Sequence, residues 1–178
     1  LNYDNSVELL CDSFGIPCST GIDEWSQTGN IQLKPSGVNL LKLHGSIDWK
    51  KVDTQSTDTL PTTSYRKIDR TELATSEFTP AVIFGSRNKL TAEGPYLDIL
   101  RTFSNQLDNS NKLVVIGYSF RDAHINTYVS RWLNGDSSRK ITVINGSGFG
   151  DHRKHGEIEK YVGFLMDFEL SNPGRVTF

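Results

Sequence analysis

An Asn-Tyr-Asp at residues 2–4, a His-Gly pair at 44–45, a Phe-Gly pair at 84–85, the triplet Gly117-Tyr118-Ser119 and Asn145 share one setting in this 178-residue chain. Each stands where an apolar run gives way to polar chain. Imidazole suits proton transfer near neutral pH, or a hydrogen bond to a ribose hydroxyl. His44 is the one histidine of four that closes an apolar run; His152 and His155 lie in a charged stretch, and His124 falls in the first turn of an expected helix. A glycine ahead of a helix lets backbone approach a ligand, and amides there can meet an anion. Gly117 fits that use or a plain structural turn. Ser119 adds a hydroxyl for a ribose or a phosphate, and Asp122 is placed to cap the next helix. Asn145 can hold a ribose hydroxyl or satisfy its own turn.

Those residues need elements to place them. Leu1 reads as the end of a strand whose body lies ahead of it, feeding a loop. Val7, Leu10 and Cys11 recur at helical spacing, so 5–14 reads as a helix that Gly15-Ile16-Pro17 ends. VNLLKL at 38–43 and AVIF at 81–84 have the length of buried strands, as do LVVI at 113–116 and ITVIN at 141–145. Tyr96, Leu100, Phe103 and Leu107 mark one face of an amphipathic helix. Ile125, Val129 and Trp132 mark a second over 122–133, and 157–170 reads as a third. Trp49 reads as core. The stretch 50–79, rich in Thr, Ser and Asp, reads as a surface loop or small excursion. Strands of Val, Ile and Leu alternating with such helices predict an α/β fold, a parallel sheet with helices on both faces. Ligands of such sheets bind beyond the carboxyl ends of the strands, where the residues above are found. The run GSGFG at 146–150 could bend around a ligand, but it lacks the spacing of a dinucleotide fingerprint.

Composition excludes several classes. A hydrophobic fraction of 36% with 22% charged residues is that of a globular chain. A net charge of −2 provides no basic field for nucleic acid, and Arg153-Lys154-His155 is an isolated cluster. No apolar run approaches the ~20 residues of a membrane span, and the polar start does not read as a signal peptide. The expected setting is cytoplasmic. Cys11 and Cys18 match no metal or redox spacing and read as two reduced thiols.

Taken in order, the motifs resemble the sirtuin family, most closely its bacterial sirtuin-like branch, which cleaves NAD. Leu1-Asn2-Tyr3-Asp4 is similar to the end of that branch's T-x-N-Y-D element, and Leu43-His44-Gly45-Ser46-Ile47-Asp48-Trp49 to its H-G element. Thr79-Pro80-Ala81-Val82-Ile83-Phe84-Gly85 is similar to P-x-V-x-F-G, and the residues from Gly117 to Asp122 to G-Y-S-F-x-D. The coverage runs from residue 1 to about 145, within a single domain over 1–178 whose tail, 146–178, has no assigned role. The resemblance implies a Rossmann-like fold that lacks here its N-terminal, Gly-rich portion. It implies that Asn2 contacts the nicotinamide ribose and the attacking water, while Asp4 and the Tyr3 backbone hold the carboxamide. It gives His44 the same ribose and a role as base, and places Phe84 in the NAD-binding set. Gly117 and Ser119 then meet the phosphate and adenosine ribose, and Asn145 the adenosine ribose. The family's deacylases carry four zinc cysteines between the H-G and F-G elements, and Gly45 to Phe84 here contains none. No zinc is therefore expected, and NAD serves as substrate for hydrolysis to nicotinamide and ADP-ribose. The branch implies an anti-phage effector that depletes NAD, a homo-oligomer with a trigger module or partner subunit. A protein deacylase and a non-catalytic nucleotide-binding or assembly module are the alternatives.

Overall fold

The computed structural model describes residues 3–54, 62–69, 71–72, 78–83, 94–144 and 155–178. Two compact units divide the chain, Leu1–Phe103 and Ser104–Phe178. The fold is α/β, with parallel strands and, among the described residues, five helices.

In the first unit, α1 (Ser6–Ser13) ends in a left-handed Gly15, with Ile16 N–H bonded to Cys11 O at 2.9 Å and Gly15 N–H to Asp12 O at 3.2 Å. This reciprocal pair satisfies the last carbonyls of the helix. Of the apolar positions that predict the helix, Cys11 is buried, whereas Val7 and Leu10 are exposed and Glu8 is buried instead. The reason is a buried ion pair between Glu8 and Lys42, which turns the helix about its axis. β1 (Cys18–Ser19) pairs in parallel with β2 (Val38–Asn39). Between them lies α2 (Ile22–Thr28), bounded by Gly21 and Gly29, both left-handed.

The strand expected over 38–43 contracts to β2, because residues 42–45 fold into a turn closed by Gly45 N–H to Lys42 O at 3.0 Å. The chain then enters β3 (Gly45–Thr54), which pairs antiparallel with β4 (Thr62–Lys67) and β5 (Pro80–Val82). Of the two forms expected for 50–79, the described residues take the excursion, an antiparallel ladder. Thr, Tyr and Val suit a pleated, half-buried surface, and the Lys, Asp, Thr and Ser among them hide the strands from a composition reading. β5 also joins this ladder rather than a parallel sheet. The core of the unit gathers Ile22, Trp49, Tyr65, Ala81, Tyr96 and Ile99. Tyr65 meets Trp25 and Tyr96 edge-on at 5.9 and 6.0 Å, a favoured arrangement of ring quadrupoles.

The helix α3 (Tyr96–Asp108) follows, with Tyr96, Leu100 and Leu107 buried as its periodicity predicts. In the second unit, β6 (Lys112–Ile116), β7 (Lys140–Ile144) and β8 (Val176–Thr177) form a parallel sheet in that order. α4 (Ala123–Gly135) buries Ile125, Val129, Trp132 and Leu133. α5 (His155–Ser171) leads to β8, so the tail is built into the sheet. Glu169 accepts from the amides of Gly174, Arg175 and Val176 at 2.5, 3.1 and 2.6 Å, which folds the chain back from helix to strand.

Candidate functional site

In the first unit three of the expected residues come together. Tyr3 and Asp4 form the loop before α1, and His44 sits in the 42–45 turn. The Tyr3 and His44 rings lie 6.3 Å apart, centroid to centroid, tilted by 31°. Both are tied to the same residue of the strand end: Tyr3 OH donates to Ile83 O at 3.1 Å, and Ile83 N–H donates to His44 O at 2.9 Å. Ile47 N–H donates to Tyr3 O at 3.0 Å, so main chain as well as side chain joins the loop to β3. His44 is 9% exposed. Gly45 explains the tightness of the turn. Its φ is +84°, and a Cβ there would lie 2.0 Å from Ala81 O. Only glycine meets both demands.

Asp4 is exposed, and its Oδ1 accepts from Ser6 N–H at 2.9 Å, capping α1 from one residue outside. Hydrogen bonds from Ser6 hold its carboxyl below the usual range, so it is a carboxylate at neutral pH. An ionised acceptor beside a half-buried aromatic suits a neutral amide donor.

In the second unit, Gly117 and Ser119 lie in the loop between β6 and α4. Gly117 has φ +64°, and a Cβ would meet nothing within 4 Å. Its amide is bonded to Ile144 O at 2.9 Å, so contact with a ligand there would use the open Cα side and not the N–H. The Ser119 side chain is exposed. Phe120 follows with φ 54° while fully buried, a strained conformation for a residue with a side chain. Asn126 holds it by donating to Phe120 O at 2.6 Å, and Tyr118 OH donates to Asn126 Oδ1 at 3.1 Å. Burial pushes the Tyr118 phenol up, so it stays a donor throughout the physiological range. Asp122 caps α4 as expected, accepting from His124 N–H at 3.2 Å. The His124 ring packs edge-on against Tyr128 at 5.3 Å.

Asn2, Phe84 and Asn145 lie outside the described residues. Two groups escape the sequence reading. One is the buried polar set of Glu8, Lys42, Ser46 and Asp48, whose signal was a lysine inside the apolar run VNLLKLHG. The other is a cavity of about 570 Å³ in the second unit, lined among others by Phe120, Arg121, Asn126, Arg131 and Phe164. Gly117 and Ser119 are not among its lining residues. Among the described residues, no cluster of His, Cys, Asp and Glu side chains is grouped to hold a metal ion. Both cysteines are free thiols. No helix among the described residues is long and apolar enough to cross a membrane.

No curated protein matches the chain. Residues 1–162 match the family described as SIR2-like domain. That match takes in the loop before α1, the His44 turn and the Gly117 loop together, and the chain belongs to the SIR2-like domain family.

Proposed function

We propose that this chain is the NAD-binding domain of an NAD glycohydrolase, which cleaves NAD with water to nicotinamide and ADP-ribose. The observation that carries this reading is the pairing of the Tyr3-Asp4 loop with the buried His44 turn through Ile83. That pairing joins the loop that carries Tyr3 and Asp4 to the turn that carries His44. Membership in a family whose domains bind NAD supports it, as does a sequence with no cysteine between Gly45 and Phe84 for a zinc module.

In this reading, the bond from nicotinamide to ribose breaks as water adds to the ribose carbon, and one proton is released. The centre passes through an oxocarbenium-like state, so the site has to orient the leaving group and exclude all but the attacking water. Asp4 and the Tyr3 backbone hold the carboxamide, Asn2 contacts ribose and water, and His44 binds the ribose hydroxyls and acts as base. Phe84 adds to the NAD pocket. Gly117 and Ser119 keep the family's roles at phosphate and adenosine ribose, and Asn145 at the adenosine ribose. We further propose that the protein serves in bacteria as an anti-phage effector that depletes NAD, as a homo-oligomer released by a trigger module or partner.

The test is nicotinamide release from NAD by the intact protein, followed by chromatography. His44→Ala is expected to lower the rate roughly 100-fold or more, the loss typical of a general base. Consumption of NAD that requires an acyl peptide would transfer the protein to the deacylases. An intact protein that binds neither NAD nor ADP-ribose by calorimetry would instead favour the assembly module.

A further inference from the structure

The Lys42 side chain is 2% exposed, yet it carries an ammonium. Its Nζ lies 2.8 Å from Asp4 O, 3.2 Å from Asn5 Oδ1, 2.7 Å from Glu8 Oε1 and 2.7 Å from Ser46 Oγ. Three of those acceptors belong to the loop before α1 and to its first turns; the fourth lies just beyond His44. Ser46, fully buried, donates its hydroxyl hydrogen bond to Asp48 Oδ1 at 2.5 Å and lies 3.2 Å from Asn5 Oδ1 and 3.3 Å from Tyr3 O. Lys67 faces Asp48 Oδ2 at 3.7 Å. The backbone of Lys42 meanwhile closes the turn that holds His44. One residue therefore shapes the turn with its carbonyl and grips the Tyr3-Asp4 loop with its side chain.

A buried ion pair is a weak device for stability. Taking both charges out of water is costly, and an apolar pair of the same volume is often as stable or more so. What three N–H donors shared among four convergent acceptors supply, and apolar packing does not, is a fixed register between two segments. We propose that Lys42 is a positioning residue: with Glu8 and Ser46 it clamps the Tyr3-Asp4 loop against the His44 turn in the geometry the reaction needs, without touching substrate. The inference rests on the reading of that loop and turn as the nicotinamide-ribose site.

The experiment compares Lys42→Met with the double variant Lys42→Met/Glu8→Gln in the intact protein. The single variant strands the Glu8 carboxylate and is expected to lower Tm. The double variant removes both charges and is expected to recover most of that loss. Its kcat for nicotinamide release stays down roughly 100-fold with KM changed less than about threefold, since a misplacement of about 1 Å suffices for such a loss. Amide hydrogen exchange at Ser6 and Ile47 is expected to rise about tenfold or more in both variants, with β6 and β7 unchanged. A double variant with wild-type kcat, or unchanged exchange at Ser6 and Ile47, overturns the clamp. If exchange rises as stated while the wild-type protein releases no nicotinamide, the clamp stands and the NAD reading falls.

Discussion

Gly45 and Gly117 are both left-handed glycines after an apolar run, yet they answer to different constraints. At Gly45 a Cβ would drive into Ala81 O, so Gly45→Ala adds a steric clash to the cost of a positive φ. The sum is expected to reach about 3 kcal/mol or more, read as a shift in the urea midpoint. At Gly117 a Cβ meets open space, so Gly117→Ala is expected to cost only about 1–2 kcal/mol. If NAD approaches there, KM rises more than about tenfold in the same variant. A KM that stays put would reduce Gly117 to a structural turn. Cys18 offers an independent check on local packing. Burial, together with the neighbouring Cys11, raises its thiol to about 11. Against an ordinary thiol near 9, this leaves roughly a hundredth of the thiolate at pH 8, and alkylation by iodoacetamide should slow in proportion until urea is added.

Among the elements, α1, α3, α4 and α5 were legible because a 3.6-residue period survives in the sequence whatever they pack against, whereas the short, polar α2 reads in the sequence as loop. α3 and α4 run within a residue or two of where Tyr96, Leu107, Ile125 and Trp132 place them. α1 shows the limit of that signal: its period was right and its buried face was not, since Glu8 turns inward to meet Lys42. β3 and β4 were hidden because their residues are polar, and half a ladder is visible only once the other half pairs with it. β8 is a two-residue strand that no pattern marks; Arg175 holds its approach. That guanidinium donates to the carbonyls of Leu133, Arg139 and Asp136 and stacks on Phe168 at 4.8 Å. Arg175→Ala strands carbonyls that a charged donor satisfied, and is expected to cost about 2–3 kcal/mol, seen as a Tm lowered by several degrees. A Tm within a degree of wild type would show that β8 is held by its ladder alone.

For the whole molecule, acid is the informative stress. Asp4, Glu24, Glu72, Asp136 and Glu169 all have carboxyls held below their ordinary values, by Ser6, Lys34, Arg66, Ser138 and the Gly174 amide respectively. A depressed folded value stabilises the native state above the unfolded value and is lost as pH falls through the folded one. Tm is therefore expected to hold level from pH 8 to about 5 and to fall below about 4, where these groups protonate. The groups are exposed or only half-buried, so each contribution is small, and their number carries the effect. A melt followed by circular dichroism that keeps its Tm down to roughly pH 2.5 would contradict this.

By itself the sequence determined the α/β class, the helices other than α2, strands over 113–116 and 141–145 to within a residue, and chain turns at Gly45 and Gly117. These follow from short-range patterns, which depend on a residue's type and its near neighbours in the chain. Only the tertiary structure decided that Tyr3 and His44 share Ile83, that Glu8 faces inward, and that Lys42 ties the two segments together. Those facts join residues 34 to 80 positions apart. A lysine in an apolar run signals that a buried partner is required, because an isolated buried charge is too costly to keep. Which carboxylate fills that need is settled only when the chain brings Glu8 within 2.7 Å.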